Sequence, residues 1–495
     1  MIRLLRQSTA FSLFTKQYGY VSKTPCRCFL PANYTATDLW DVRLSHDIFK
    51  GVSPRDLGIK LLQIINSGQD VSPIEYDTFA NRTHELDITF LDFIENVMKS
   101  FMNTQSAVKL RDSTPHAFIR TYMSFQEEDR LLKLIEERSK TGIFVDFVSA
   151  VLLMDSFSKK GQWNCAVAVA WELCLQEYFA LEDFKPLVFA ASLLSCVKSI
   201  ENDSYVDVDI PEKAVDDKEI EYKFVPYIRN PNYDNFFDIT RPRLKLGYTL
   251  LHLSHALSKR RPVLQASPAW NNLSKSIDSL SLMTRVFGLA LSEQCDYLLT
   301  ELKEIKGSAV VQSAGIDPVA VEKLIKIVDT CKTRPDDSPL NRGEPELPTV
   351  SSVKAVQNEL MRIHGESDKS TSSNIFTVIE DFVYNGVINN PDCMKKEIEA
   401  IKNLYGKFNE EREKEYAEKM KEETRQKLIK SAKEKLREIL DEEERVTYFQ
   451  NTVNINRSAW LAPRTRKESQ WSRLKEWRKE VSSIKEKQEN EESSS

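Results

Sequence analysis

The residues of this chain best suited to chemistry lie near its C-terminal end. Residues 457–479, RSAWLAPRTRKESQWSRLKEWRK, hold eight Lys or Arg against two Glu, with three tryptophans among them. Guanidinium and ammonium groups answer phosphate oxygens, and indole faces stack on unpaired bases, so the pattern fits nucleic acid. The candidate contacts are Arg457, Arg464, Arg466, Lys467, Trp471, Arg473, Trp477, Arg478 and Lys479, with Trp460 as a further stacking face. A tail that anchors to a neighbouring protein explains the same composition. Smaller basic clusters stand at Arg241, Arg243 and Lys245 and at Lys259-Arg260-Arg261, where a solvated helix end is the plainer account.

Catalytic chemistry finds little to use. His252-x-x-His255 is the one close histidine pair. It has no Cys or acid at ligand spacing, so structural or partly exposed histidines explain it better than a metal site. No glycine-rich phosphate loop, nucleophile elbow or zinc-protease helix occurs. The eight cysteines give no disulfide framework and no paired zinc-knuckle spacing. Cys165, Cys174 and Cys196 read as small core residues. Asp216-Asp217 lies in an acidic stretch, where paired carboxylates are solvated charge. No catalytic residue, metal or cofactor is therefore expected.

The elements that must carry these groups are helical. The chain has 495 residues, is 41% hydrophobic and 29% charged, and carries a formal charge of −5. That length suggests roughly two to four domains. Any nucleic-acid contact must come from local basic patches and not from a global field. Only 14 glycines are present, which argues against an all-β protein built on tight turns. No 18-residue apolar run occurs. The first 37 residues hold no Asp or Glu and carry Arg3, Arg6, Lys16 and Lys23 among Leu, Phe, Ser and Thr. This is the composition of a mitochondrial transit peptide, assigned to 1–33, which would take Cys26 and Cys28 with it. A disordered basic tail is the alternative.

Ser53-Pro54 supplies a cap and a first-turn proline for a helix through Ile65. Pro73 opens a second helix, and Leu86 to Phe101 forms a third. Two units follow, starting at Asp112 and Asp146, 34 residues apart, each a helix, a polar turn and a helix. In the second, Leu153 and Met154 lie on the first helix, Lys159 and Gly161 at the turn, and Ala166 where the second helix packs closely. A further helix runs to about Lys198. Residues 201–222 are an acidic loop or insertion, and an irregular segment pinned by Tyr227, Tyr233, Phe236 and Phe237 follows. Helices resume near Lys245 and run to about Cys331, with Asp317-Pro318 capping the last. The helical-repeat domain thus spans 34–333.

Residues 334–350, with four prolines between Arg334 and Pro348, form a linker. A helical region at 351–450 follows, and then the basic, aromatic tail at 451–495. From about Asp392 to Tyr448 the spacing predicts one long helix. Ile401, Leu404 and Phe408 form one apolar stripe, and Leu428, Ala432, Leu436 and Ile439 a second. The stretch between, EEREKEYAEKMKEETRQK, has few apolar residues, so the helix should be packed at both ends and held in the middle by Glu–Lys pairs. A two-chain coiled coil needs a sustained seam, which fails in the middle.

The unit from Asp146 resembles a pentatricopeptide repeat. The longer stretch TGIFVDFVSAVLLMDSFSKKGQWNCAVAVAWELCLQE is similar to the repeat region of the family of mitochondrial small-subunit ribosomal protein number twenty-seven. Tyr34-x5-Trp40-x2-Arg43 looks like the start of the mature family protein, and LGYTLLHLSHAL resembles its later helix. The resemblance implies an all-α, helical-hairpin repeat solenoid followed by a long charged helix and a basic tail. It implies contact with small-subunit rRNA and with other mitochondrial ribosomal proteins, and no catalysis. Lys159 and Lys160 join the RNA candidates. Base-reading repeats select with a polar residue on the first helix, but Val151 and Ala117 occupy those positions, and Asp146 at the other selecting position lacks a polar partner there. A free pentatricopeptide factor for mitochondrial RNA processing or stability is the alternative function. An enzyme stands third, without a supporting motif.

Overall fold

In the computed structural model the described residues are 30, 32–181, 185–205, 239, 241–266, 274–307, 318–335, 347–366, 375–461 and 470–492. Among them every regular element is helical, apart from one isolated parallel bridge between Arg334 and Thr349. The expected acidic insertion beyond residue 205 and the aromatic segment pinned by Tyr227, Tyr233, Phe236 and Phe237 lie outside the described residues, as do residues 1–29 and Asp317. The chain divides into two units, Met1–Arg412 and Glu413–Ser495.

Unit 1 begins with α1 (Thr37–Asp41), α2 (Pro54–Asn66), α3 (Pro73–Arg82) and α4 (Leu91–Met102). The α2 start is as expected: the Asp56 N–H donates to Ser53 Oγ at 3.4 Å, and Pro54 fills the first turn. The third helix starts at Leu91 and not at Leu86, because Leu86 and Asp87 are extended between two short 3-10 turns.

The two 34-residue units become α5 (Ser113–Ser124) with α6 (Glu128–Glu136), and α8 (Phe147–Lys160) with α9 (Trp163–Leu175); the short α7 (Arg138–Thr141) joins them. Asp146 and Ser149 form a reciprocal cap at the start of α8. Gly161 ends that helix at φ +73°, a left-handed position that glycine occupies without strain. Helix α5 packs on α8 and α6 packs on α9, so first helix meets first and second meets second. Fully buried Ala166 lets α9 approach α8 closely. Next come α10 (Pro186–Glu201), α11 (Pro242–Ala266), α12 (Ser274–Leu291), α13 (Cys295–Gly307), α14 (Pro318–Asp329) and α15 (Val350–Glu366). Helices α11 and α12 touch backbone to backbone: a Cβ on Gly247 would lie 2.5 Å from the Ser292 nitrogen. The Arg334 N–H and Nε both donate across the expected linker, to the carbonyls of Pro348 and Leu347 at 3.0 Å each. Helix α16 (Ile375–Asp381) runs on into a π-helical stretch, Phe382–Ile388.

The expected long helix is α17 (Pro391–Leu461), with a kink at Asn451; α18 (Gln470–Glu492) follows. Its first stripe is packed, with Ile401, Tyr405 and Phe408 buried in unit 1. The second is not. Leu428, Leu436 and Ile439 are 67%, 59% and 61% exposed, so the expectation of packing at both ends is corrected. Helical periodicity supplies an apolar face but not a partner for it. Lys419 with Glu423 at 3.7 Å and Arg425 with Glu422 at 3.5 Å are pairs of the expected kind.

What fixes α17 on unit 1 is charge. Asp77 on α3 is 0% exposed and Arg412 is 1% exposed, and Arg412 Nε donates to Asp77 Oδ2 at 2.8 Å across 335 residues of sequence. The other carboxylate oxygen accepts from the Ser113 and Thr114 hydroxyls at 2.5 and 2.9 Å. Burial alone would raise the Asp77 pKa, but Arg412 and these donors outweigh it and hold the group below the usual carboxylate value. Removing one member of such a pair leaves a bare buried charge, at a cost of about 3–5 kcal/mol. Arg412→Leu should therefore lower the stability of the purified chain by about that amount in urea unfolding followed by circular dichroism. The double variant Asp77→Asn, Arg412→Leu should lose clearly less than the two single losses added. Additive losses would show that the pair is not coupled.

Candidate functional site

The tail residues expected to touch RNA fall into three groups. Arg457, Arg478 and Lys479 are exposed on α17 and α18, and Trp471 is 78% exposed. Trp477 is more covered and Trp460 is half-buried. Arg464, Arg466 and Lys467 lie outside the described residues. Arg473 is only 4% exposed, contrary to its expected place among the open phosphate contacts. The segment is helical there, and two residues of helix turn a side chain by about 200°, away from Trp471.

The other basic groups are engaged inside unit 1. Lys160 pairs with Glu128 at 2.6 Å, and Lys159 with Asp155 at 2.5 Å, so a phosphate would have to compete with these acids. Arg241 makes two bonds to Glu293 at 2.7 and 3.0 Å. Arg243 is buried and donates to the Ile327 carbonyl and to Thr330 Oγ1, both at 2.7 Å. Lys245 reaches Glu136 at 2.7 Å. This cluster is an internal clamp between helices and not a solvated helix end. His252 is half-buried and His255 exposed on α11. Among the described residues no group of three His, Cys, Asp or Glu is placed to hold a metal ion.

At the base-selecting positions, Val151 is fully buried and Ala117 nearly so. Packing, not solvent, faces both side chains. Asp146, the other selecting residue, is turned inward. Its Oδ1 accepts from the Ser149 N–H at 2.8 Å, and its Oδ2 accepts from His116 Nδ1 at 2.8 Å.

His116 is the centre of a polar cluster that the sequence did not reveal. Arg120 Nε donates to His116 Nε2 at 3.0 Å, and Arg120 Nη2 donates to the Tyr405 hydroxyl at 2.6 Å and the Thr35 carbonyl at 2.8 Å. Trp40 packs edge-on to His116 at 4.7 Å, and the Arg43 guanidinium lies 3.8 Å above the Trp40 ring. The Tyr34-x5-Trp40-x2-Arg43 signature was visible; its target was not, because His116 and Tyr405 come from distant segments. An Asp–His pair can serve acid–base chemistry, but here the ring is fully buried and both nitrogens are occupied by protein. The arrangement joins the N-terminal segment, α5, α8 and α17. It offers no open position for a substrate.

Because Nε2 accepts from Arg120, His116 is neutral with its proton on Nδ1. Burial is the main cause holding its pKa below 6.5. A depressed histidine stabilises the fold above its unfolded pKa, and that contribution fades as pH falls below about 6.5, by up to about 1.4 kcal/mol per pH unit. Glu172 and Glu397 act the other way. Burial pushes both from 4.5 up to about 7, so their contribution fades as pH rises through that range. The His116 effect is isolated by difference. Between pH 7.5 and 5.5, the wild-type chain should lose more unfolding free energy than His116→Gln. Equal losses would exclude His116 as the proton acceptor.

Comparison with known families places this geometry. The family described as mitochondrial 28S ribosomal protein S27 matches residues 4–438. The match starts inside the expected leader, takes in every helix from α1 to α16, and covers most of the charged helix, where the sequence itself showed no likeness. It ends before the kink at Asn451 and before α18. With most of its length matched, including the repeat helices and the buried Trp40, His116 and Tyr405 cluster, the chain belongs to the mitochondrial 28S ribosomal protein S27 family.

Proposed function

We propose that this chain is a structural, RNA- and protein-binding component of the mitochondrial small ribosomal subunit, supporting mitochondrial translation and performing no catalysis. Family membership puts it in the mitochondrion, with the ribosome. The finer assignment is to a pentatricopeptide-like repeat solenoid that keeps its scaffold and has given up base reading. Burial of Val151 and Ala117 carries that assignment, since a side chain inside the core cannot inspect a base edge. Affinity for rRNA then comes from charge in the tail, at Arg457, Arg464, Arg466, Lys467, Arg478 and Lys479, with Trp471 and Trp477 stacking. Other mitochondrial ribosomal proteins are assigned to the exposed stripe of Leu428, Leu436 and Ile439, which water leaves unsatisfied. Residues 1–33 serve as the import leader.

Binding to randomised single-stranded RNA should be strongly salt-dependent and nearly indifferent to sequence. Replacing Arg464, Arg466, Lys467, Arg478 and Lys479 by Ala should weaken it. The slope of log affinity against log salt should fall by about 0.7 for each phosphate no longer neutralised. The helical circular dichroism should stay the same, and co-sedimentation with the small subunit should fall. A sharply preferred RNA sequence that changes with Val151→Asn would overturn this function and favour the free RNA-processing factor.

A further inference from the structure

Two cysteines stand apart from the rest of the core. Cys295 is the first residue of α13, and Cys331 lies just beyond the end of α14. Their thiols are in hydrogen-bond contact, with the Cys295 S–H donating to the Cys331 sulfur. Arg243 Nη2 sits 2.9 Å from the same sulfur. That guanidinium cannot swing away. It is buried and is held by the Ile327 carbonyl at 2.7 Å, by Thr330 Oγ1 at 2.7 Å and by the Ala290 and Leu291 carbonyls at 3.4 Å each. Cys331 is partly exposed, while Cys295 is buried behind it. An accessible sulfur, a fixed cation and a second thiol in contact are the parts of a redox-sensitive cysteine.

The other partly exposed cysteines make the contrast. Burial pushes the Cys165 and Cys393 thiols up to about 11. The hydrogen bond from Cys295 lowers Cys331 instead; burial opposes this and Arg243 adds to it. Glu293 also faces the site and works against Arg243 and Arg241, but both arginines are bonded to it.

We propose that Cys331 and Cys295 form a peroxide-responsive pair, with Cys331 as the attacking thiolate and Cys295 as the resolving thiol, closing a disulfide between α13 and the end of α14. In the first step the Cys331 sulfur bonds to one oxygen of hydrogen peroxide and the O–O bond breaks. Cys331 becomes a sulfenic acid, and the departing hydroxide takes a proton from solvent to leave as water. In the second step Cys295 sulfur attacks the sulfenic sulfur. The S–S bond forms, the S–O bond breaks, and hydroxide leaves with the Cys295 proton as a second water. Two thiols lose two electrons and one peroxide gains them. Thiol reductants reverse the change.

Treating the purified full-length chain with hydrogen peroxide, followed by alkylation and non-reducing peptide mapping, tests this. The expected result is a peptide linked between Cys295 and Cys331 that dithiothreitol separates. Before oxidation, Cys331 should react with iodoacetamide at neutral pH about tenfold faster than Cys165 or Cys393. In Cys295→Ser the link should vanish, and dimedone should label Cys331. The wild-type map needs no variant, so it decides the matter even where the substitution disturbs folding. Absence of the linked peptide, or reaction of Cys331 no faster than Cys165 and Cys393, would overturn the proposal.

Discussion

A carboxylate with no exposure to water is the constraint around which unit 1 is arranged. Taken into the interior, Asp77 loses its hydration, and only a matched cation with further donors can replace it. Two hydroxyls come from the start of α5, and the cation comes from α17. Three segments far apart in sequence must therefore meet at one carboxyl group. A well-packed apolar substitute could be as stable, but it would tolerate a shift along the helix axis. Fixed donors and acceptors do not, since a displacement of one turn breaks every bond in the set.

The His116 cluster repeats the device nearby. Arg120 on α5 holds the histidine, the Tyr405 hydroxyl on α17 and the Thr35 carbonyl together, while Asp146 caps α8 and accepts from the same ring. The residue that base-reading repeats turn toward RNA is here part of the scaffold. Loss of reading and gain of packing are one structural change: Asp146 cannot both grip His116 and face a nucleotide.

Local features were legible in the sequence because they depend on neighbours a few residues away. Ser53-Pro54 announces α2, the two aspartates 34 residues apart announce stacked hairpins, and Gly161 marks the end of α8. What depends on distant neighbours was hidden. Arg241, Arg243 and Lys245 look like a surface patch until Glu293, Glu136 and the open carbonyls at the ends of α12 and α14 are set beside them. The second stripe of α17 fails for the opposite reason, because a periodic apolar face says nothing of whether anything lies against it. Arg473 shows a third limit. Composition grouped it with Trp471 and Arg478, but a helix sorts neighbours onto different sides.

The Asp77–Arg412 pair also has a direction in time. A chain delivered from its N-terminus presents α3 and α5 long before Arg412 arrives, 335 residues after Asp77. Until then the N-terminal helices can collapse only by leaving that carboxyl group wet, or by protonating it. The repeat layer is thus kept loose while the chain is incomplete, and it sets when α17 docks. Such a long loop is slow to close, and its closure serves as a check that the charged helix has been made. A chain cut short before residue 412 would retain all its hairpins and lack the cation that lets them close.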